Sequence, residues 1–465
     1  MALWLSAVGF LYLLYLILAI RLRPSIALGI VMPCSWLFPA WTTLDVGIDQ
    51  LNIKAAVGIA MLVSYSFLPK ATFPWRFVPA DFALLGLVLA GLASDFWHEG
   101  IQWTIPAVSY VEWILPYLAG RLAIQKREDL NGIWPVLAIV GLLLGLAAFL
   151  EAWLRMNPYE WIFGLRPLEG ANRDVIRWNI RRAYGPCFHP LYFGVLLCWF
   201  FAWSVHAGWR TLLRRSTPIW LIPPFLGLMA PLATGSRGPF IGTLLVLACL
   251  VFCSLRTWRW PLMMTAGLLL AVFMVYQNQV FVLLDDWSGE FQRGRQASTV
   301  TFDEQAEKVS SARSRLTLFR IYWSPLTRAG LLGYGTGAVT GFPVNVPIGS
   351  EEAEAAKQIW ALDNTFILIT LRFGYLGLLF FVSLLGWSLW QLLKVHDLDP
   401  SRSTAAFSAA LFGATAAVAW LIFGVWTPSD FGFPWLWGIG LSSGLYLSLC
   451  PQMPGSLAWP RKKAI

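Results

Sequence analysis

Charge is scarce in this chain. Only 13% of its 465 residues are Asp, Glu, Lys or Arg, roughly half the share of an ordinary soluble domain. With 57% apolar residues and a mean hydropathy of +0.62, that shortage excludes a water-soluble globular protein. It predicts an all-α polytopic membrane bundle forming a single integral domain over residues 1–465. Acidic residues are fewer than basic ones, 25 against 34, for a net charge of +9. Most of that excess falls in loops between apolar runs, so no nucleic acid is expected as a partner. Histidine occurs four times. His98, His206 and His396 lie at span ends and take no role, and His189 reads as the residue that starts a helix before Pro190. Six cysteines sit in or at the ends of apolar spans without disulfide or metal-ligand spacing. They read as small packing residues, and no metal and no cofactor are expected. No basic residue precedes the first apolar run, and Arg21 and Arg23 follow it. A cleaved signal peptide has the opposite polarity, so this run reads as a membrane helix with its N-terminus outside. No internal repeat and no low-complexity segment is present.

Apolar runs are what the chain has in abundance. A span takes about 20 apolar residues. Thirteen candidates follow: 2–20, 25–41, 52–68, 79–95, 103–124, 132–154, 186–207, 218–235, 237–255, 260–283, 364–393, 404–427 and 431–449. Trp and Tyr are frequent near their ends, where interfacial rings are expected. Alternate loops carry two or three basic residues each, from Arg21 and Arg23 to Arg461, Lys462 and Lys463. The short loops between them, 42–51, 95–102 and 427–431, carry none. The positive-inside rule then predicts the N-terminus outside and the C-terminus in the cytoplasm.

Three outward segments break the charge rule. One is 155–185, with Arg155, Arg166, Arg173, Arg177, Arg181 and Arg182. The second is the turn at Arg237. The third is the long polar insert 284–362, which contains Arg293, Arg295, Lys308, Arg313, Arg315, Arg320, Arg328 and Lys357. Arginine dominates all three, and its planar fork suits bidentate contact with phosphate. The plainer alternative is that these arginines meet lipid headgroups or pair with loop carboxylates. Within the insert, 301–328 reads as a helix up to Pro325. At about 100° per residue, Arg315 borders the apolar face of that helix, while Arg313 and Arg320 share its other edge.

Three motifs stand out. Ala233-Thr-Gly-Ser-Arg-Gly-Pro239 joins two spans with almost no loop; Ser236 is a natural N-cap and Pro239 fits a first helical turn. An arginine above a helix N-terminus makes an anion site from two sources, and a hairpin whose arginine snorkels is the alternative. Ser314-Arg-Leu-Thr-Leu-Phe-Arg-Ile-Tyr-Trp323 is followed by Gly330-Leu-Leu-Gly-Tyr-Gly-Thr-Gly337. With no strand–helix unit around it, the glycine run is not a dinucleotide fingerprint; it reads as a turn where backbone comes close to something. Leu362-Asp-Asn-Thr-Phe366 opens a span and leads to Arg372-Phe-Gly-Tyr-Leu-Gly377. Asp363 is either a helix N-cap or a functional carboxylate that neighbouring arginines keep ionised.

Together, with Arg182-Ala-Tyr-Gly-Pro-Cys-Phe-His-Pro190, these motifs resemble the O-antigen ligase and O-antigen polymerase family of bacterial membrane glycosyltransferases. The resemblance runs from about Arg181 to Gly377. It implies a GT-C-like bundle of about 12–13 transmembrane helices in the bacterial inner membrane. Residues 284–362 and 155–185 would then be periplasmic loops around a periplasmic active site. It implies transfer of a glycan from an undecaprenyl-pyrophosphate donor to a sugar hydroxyl, on a growing glycan or on a lipid A-core acceptor, without metal. Arg237 and Arg315 match the arginines that hold the pyrophosphate, with help from Arg182; Arg313, Asn364 and His189 complete the expected substrate-binding set. Asp363 stands where the ligases place a histidine proposed to activate the acceptor. An aspartate, with a reference pKa of about 3.9, is a weaker base but always ionised. Two other classes stay open: a transporter or flippase for an anionic lipid-linked glycan, and a structural subunit of an envelope assembly.

Overall fold

The computed structural model describes residues 2–45, 50–69, 71, 76–100, 110–164, 176–177, 180–214, 222–287, 299–302, 305–308, 314–339, 344–358, 362–399 and 402–449. It is an all-α polytopic bundle, and each of the thirteen predicted spans holds a helix. Ten come first: α1 Ala2–Arg21, α2 Pro24–Ser35, α3 Ile53–Tyr65, α4 Pro79–Glu99, α5 Leu115–Ala123, α6 Leu130–Leu154, the short α7 Pro158–Phe163, α8 Pro190–Arg214, α9 Ile222–Ala233 and α10 Arg237–Ser254. Then come α11 Arg259–Trp287, the insert helices α12 Ser314–Ile321, α13 Trp323–Arg328 and α14 Ser350–Gln358, and the closing helices α15 Thr365–Leu398, α16 Arg402–Leu421 and α17 Ser429–Leu449. Among the described residues, seven of these helices (α1, α4, α6, α10, α11, α15 and α16) are long and apolar enough to cross a membrane. The chain is a multi-pass membrane protein.

The helices begin where local chemistry lets them. Pro24 and Pro79 start α2 and α4 in first-turn positions, where a missing N–H removes no bond. The Asn52 side chain accepts the Ala55 N–H at 2.8 Å to cap α3, worth about 1 kcal/mol. The bundle has two distinct ends. At one, basic residues of the predicted inner loops meet carboxylates: Arg23 with Asp129 at 3.4 Å, Arg127 with Asp399 at 3.1 Å, Arg259 with Asp397 at 2.8 Å. At the other lie the outward segments, and the Ala40 N–H reaching the Pro186 carbonyl (2.8 Å) ties two of them together. Among the described residues, strands occur only in those outward segments, as three two-stranded antiparallel hairpins: 43–45 with 50–52, 176–177 with 180–181, and 299–302 with 305–308.

The interior corrects the expectation for tryptophan. Trp36, Trp199, Trp203, Trp435 and Trp437 are fully buried rather than interfacial. Their rings meet edge to face, Trp36 with Trp437 at 5.2 Å and Trp199 with Trp203 at 5.5 Å. Lipid offers no hydrophobic drive between helices, so shape and ring contact do the packing. Small residues do the rest. Gly440 and Gly444 sit one turn apart on α17 against α5, where a Cβ at Gly440 would run into the Tyr117 carbonyl.

The insert has a core of its own. Leu318, Ile321, Tyr322, Val339, Val344, Val346 and Ala356 are buried together with Leu362, Ile367, Leu368 and Leu371 at the start of α15. Burial pushes the Tyr322 phenol up to about 12, so it packs as a neutral group. The predicted helix over 301–328 does not form as one piece. Residues 299–302 and 305–308 pair as strands, and the helix breaks at Tyr322 (φ −94°, ψ 7°) into α12 and α13. Pro325 explains the break: its ring would strike the carbonyl four residues back, and a new first turn tolerates it.

Candidate functional site

The turn between α9 and α10 comes first. Thr234 Oγ1 donates to the Pro231 carbonyl at 2.8 Å, and Gly235, at φ +60°, donates its N–H to the Leu232 carbonyl at 2.9 Å. That left-handed step reverses the chain. Ser236 then takes the N-cap position in extended conformation, but its side chain makes no cap bond. The predicted capping serine is instead engaged by Arg182, whose Nη2 donates to Ser236 Oγ at 2.8 Å and whose Nε donates to the Thr234 carbonyl at 2.8 Å. The Ala183 N–H adds a bond to the Ala233 carbonyl at 3.0 Å. Arg182 is therefore fixed across the turn, one residue from half-buried Arg237 at the first position of α10.

The segment carrying Arg182 is anchored from the bundle side. Glu151, fully buried in the last turn of α6, accepts the N–H groups of Tyr184 (3.0 Å) and Gly185 (2.8 Å) on Oε2. Arg181 faces elsewhere: it pairs with Glu160 at 3.6 Å and donates to the Arg155 carbonyl at 3.0 Å. The plainer reading of outward arginines thus holds for Arg181. His189 accepts the Leu191 N–H on Nδ1 at 3.1 Å, so its ring helps start α8. It also lies against Tyr192, centroids 5.5 Å apart.

At the mouth of α15, two neighbours have separate tasks. Asn364 is the N-cap: its Oδ1 accepts the Ile367 N–H at 3.0 Å and its Nδ2 donates to the Phe423 carbonyl at 2.9 Å. It is fully buried. Asp363 is not the cap. It is the middle residue of a three-residue turn closed by the Asn364 N–H on the Leu362 carbonyl at 2.7 Å, and its side chain is half-exposed. Arg315 lies in the first turn of α12, three residues before buried Leu318 and seven before buried Tyr322. The side chain of Arg315 and all of Arg313 fall outside the described residues.

The glycine run finds its partner in α15. Gly374 takes φ +66° and kinks that helix, releasing carbonyls that the insert takes up. Tyr334 and Gly335 donate to the Leu371 and Arg372 carbonyls at 2.7 and 3.1 Å, while Tyr375 and Leu376 donate back to the Gly330 and Leu331 carbonyls at 3.0 and 3.2 Å. Gly333 at φ +72° lies so close that a Cβ would sit 2.6 Å from the Arg372 carbonyl oxygen. Asp95 of α4 closes the clamp, accepting the Thr336 N–H at 2.6 Å and its hydroxyl at 3.0 Å.

These pieces meet at one end of the bundle. A Cβ on Gly238 would lie 3.3 Å from Leu421, the last residue of α16. The next carbonyl, of Ile422, accepts the Thr365 N–H at 2.9 Å, and the Val425 carbonyl accepts the Thr365 hydroxyl at 2.9 Å. Trp426 donates to the Tyr192 hydroxyl at 2.5 Å, and Asp430 accepts the Phe188 N–H at 3.4 Å. The 422–428 loop and the first turn of α17 thus link the Arg182 segment, the Arg237 turn and the Asp363 mouth.

Sequence reasoning missed Glu151, Tyr192, Trp426 and Asp430. A signal existed for Glu151, the one charged residue of the 25-residue helix α6, and for Asp430, the one charged residue of α17. Among the described residues, no group of three or more His, Cys, Asp or Glu could hold a metal ion.

Residues 224–382 match the family model described as O-antigen ligase. The segment is an O-antigen ligase family domain. It runs from inside α9 to inside α15 and so includes the Arg237 turn, the whole insert, Asp363 and the Gly374 kink. Arg182, Glu151 and residues 422–430 lie outside the match. No curated protein matches the chain. A match over that stretch indicates glycan transfer of the ligase or polymerase kind and implies lipid-linked glycan and polysaccharide as partners.

Proposed function

We propose that the chain transfers a glycan from undecaprenyl pyrophosphate to a sugar hydroxyl, without metal, at the end of the bundle that carries Arg182, Arg237 and Asp363. That end is periplasmic in this reading, and the protein sits in the bacterial inner membrane as a single domain. One observation carries the reading: Arg182 is bonded to the turn that presents Arg237, at the Thr234 carbonyl and the Ser236 hydroxyl. Two guanidiniums beside a helix N-terminus form a site for a diphosphate, because fixed donors and the helix dipole add to their charge. Since the Ser236 hydroxyl makes no cap bond, it does not compete for the first-turn amides of α10.

The chemistry then runs as a displacement. The acceptor oxygen attacks the anomeric carbon, and the bond from that carbon to the phosphate oxygen breaks. The electron pair leaves with the diphosphate, whose growing negative charge is stabilised by Arg237, Arg315 and Arg182. The acceptor proton passes to the Asp363 carboxylate, which is ionised beforehand and takes it late. Asn364, capping α15 beneath Asp363, contributes through the placement of that turn. In this reading His189 and Arg313 are assigned to the glycan. The acceptor is a growing glycan or a lipid A-core.

Arg237→Ala and Arg315→Ala variants, purified and reconstituted in proteoliposomes with lipid-linked glycan, are expected to insert normally and lose covalent transfer by at least about 100-fold. Transfer at the wild-type rate in both would remove the diphosphate site. Glycan that moves across the bilayer without becoming attached would favour a flippase.

A further inference from the structure

We infer that Glu151 is the positioning residue for Arg182: a carboxylate buried in the membrane helix α6 holds the backbone that aims the guanidinium. The inference rests on the diphosphate reading above. A charged side chain inside a span is costly and marks a function by default. Glu151 is the one charge in α6 and is fully buried. What it does is visible. Its Oε2 accepts two consecutive backbone N–H groups, those of Tyr184 and Gly185. Gly185 sits at φ +50°, tight against the Phe193 ring, so the turn there admits no side chain.

Arg182 lies just upstream. Its own anchor on the other side is the Ala183 N–H on the Ala233 carbonyl. The backbone around Arg182 is thus held at one point by the α9–α10 turn and at two by Glu151. With Glu151 removed, two buried amides lose their acceptor, the 183–185 turn loosens, and Arg182 no longer reaches Ser236 and Thr234 together. Glu151 touches no substrate. Glutamine keeps one carbonyl oxygen, which is enough to accept both backbone amides.

The test is donor titration in proteoliposomes with undecaprenyl-pyrophosphate-linked glycan. Glu151→Leu is expected to raise the donor KM about tenfold or more with a smaller change in kcat. Glu151→Gln restores most of that loss. Glu151→Asp, which keeps the charge but withdraws the oxygen by one methylene, falls between them and covers the case in which the leucine variant does not insert. Arg182→Lys raises KM on its own, and Glu151→Asp combined with Arg182→Lys adds little to it, because the two act through one guanidinium. A wild-type KM in Glu151→Asp overturns the inference, and so do effects that multiply in the double variant. If Arg182→Lys itself keeps the wild-type KM, the diphosphate reading fails at Arg182 whatever Glu151 does.

Discussion

Asn364 accepts the Ile367 N–H and donates to the Phe423 carbonyl, so its amide is engaged within the fold. Asp363 beside it occupies the apex of a three-residue turn and keeps a half-exposed carboxylate. The difference predicts opposite phenotypes for adjacent residues. Asn364→Ala removes a cap, about 1 kcal/mol, and the bond to the Phe423 carbonyl, about 1 kcal/mol more. It is expected to lower the unfolding temperature in detergent. Asp363→Asn is expected to leave that temperature unchanged while glycan transfer falls roughly 100-fold or more, the size of a lost general base. Thermal unfolding and a product assay on the same two preparations check this; retained transfer in Asp363→Asn reduces the residue to a turn former. The sequence offered Asp363 as a cap or a functional carboxylate, and the cap is its neighbour Asn364. Both types cap well, and the choice rests on Phe423, distant in sequence and invisible to local pattern. Ser236 teaches the same lesson in reverse, since its type promised a cap and Arg182 claims the hydroxyl.

At the scale of elements, the insert is held by the kink in α15. Four backbone bonds join 330–335 to 371–376, and both partners need glycine where they cross. Gly374→Ala and Gly333→Ala each drive a Cβ into the facing backbone at a positive φ. Both are expected to unclamp the insert, abolish transfer and speed trypsin cleavage after exposed Arg320 and Arg328. Gly330→Ala is the control. Its φ is also positive, +60°, but open space surrounds it, so it costs about 1 kcal/mol and leaves the clamp closed. Equal protease resistance in all three variants would show that the clamp does not hold the insert in place. The glycine run announced a close approach in the sequence, but not its partner, which comes from the following span. The helix over 301–328 was over-read for a related reason. Apolar spacing alone does not register that 299–302 and 305–308 pair as strands, or that Pro325 restarts the helix at Trp323.

For the whole molecule, loop charge and apolar run length were enough to locate thirteen helices, because a bilayer constrains length and backbone bonding so strongly. Where the tryptophans go was not legible: hydropathy cannot tell a ring at the headgroups from Trp199 in the core. The same charge pattern predicts which way the bundle faces. At one end Arg23, Arg127 and Arg259 are neutralised by Asp129, Asp399 and Asp397. Such pairing does not weaken the orientation signal, since the rule counts Lys and Arg rather than net charge. That end is expected in the cytoplasm, and the end with Arg237, the insert and Asp363 in the periplasm. Four native cysteines, Cys187, Cys198, Cys249 and Cys253, are buried, which keeps thiol background low. An exposed position of the insert, Arg320→Cys, should react with a membrane-impermeant maleimide in spheroplasts. Exposed Lys126→Cys, beside the Arg127–Asp399 pair, should react only after lysis. The reverse pattern would put Arg182, Arg237 and Asp363 on the cytoplasmic face, where the proposed periplasmic donor would never meet them.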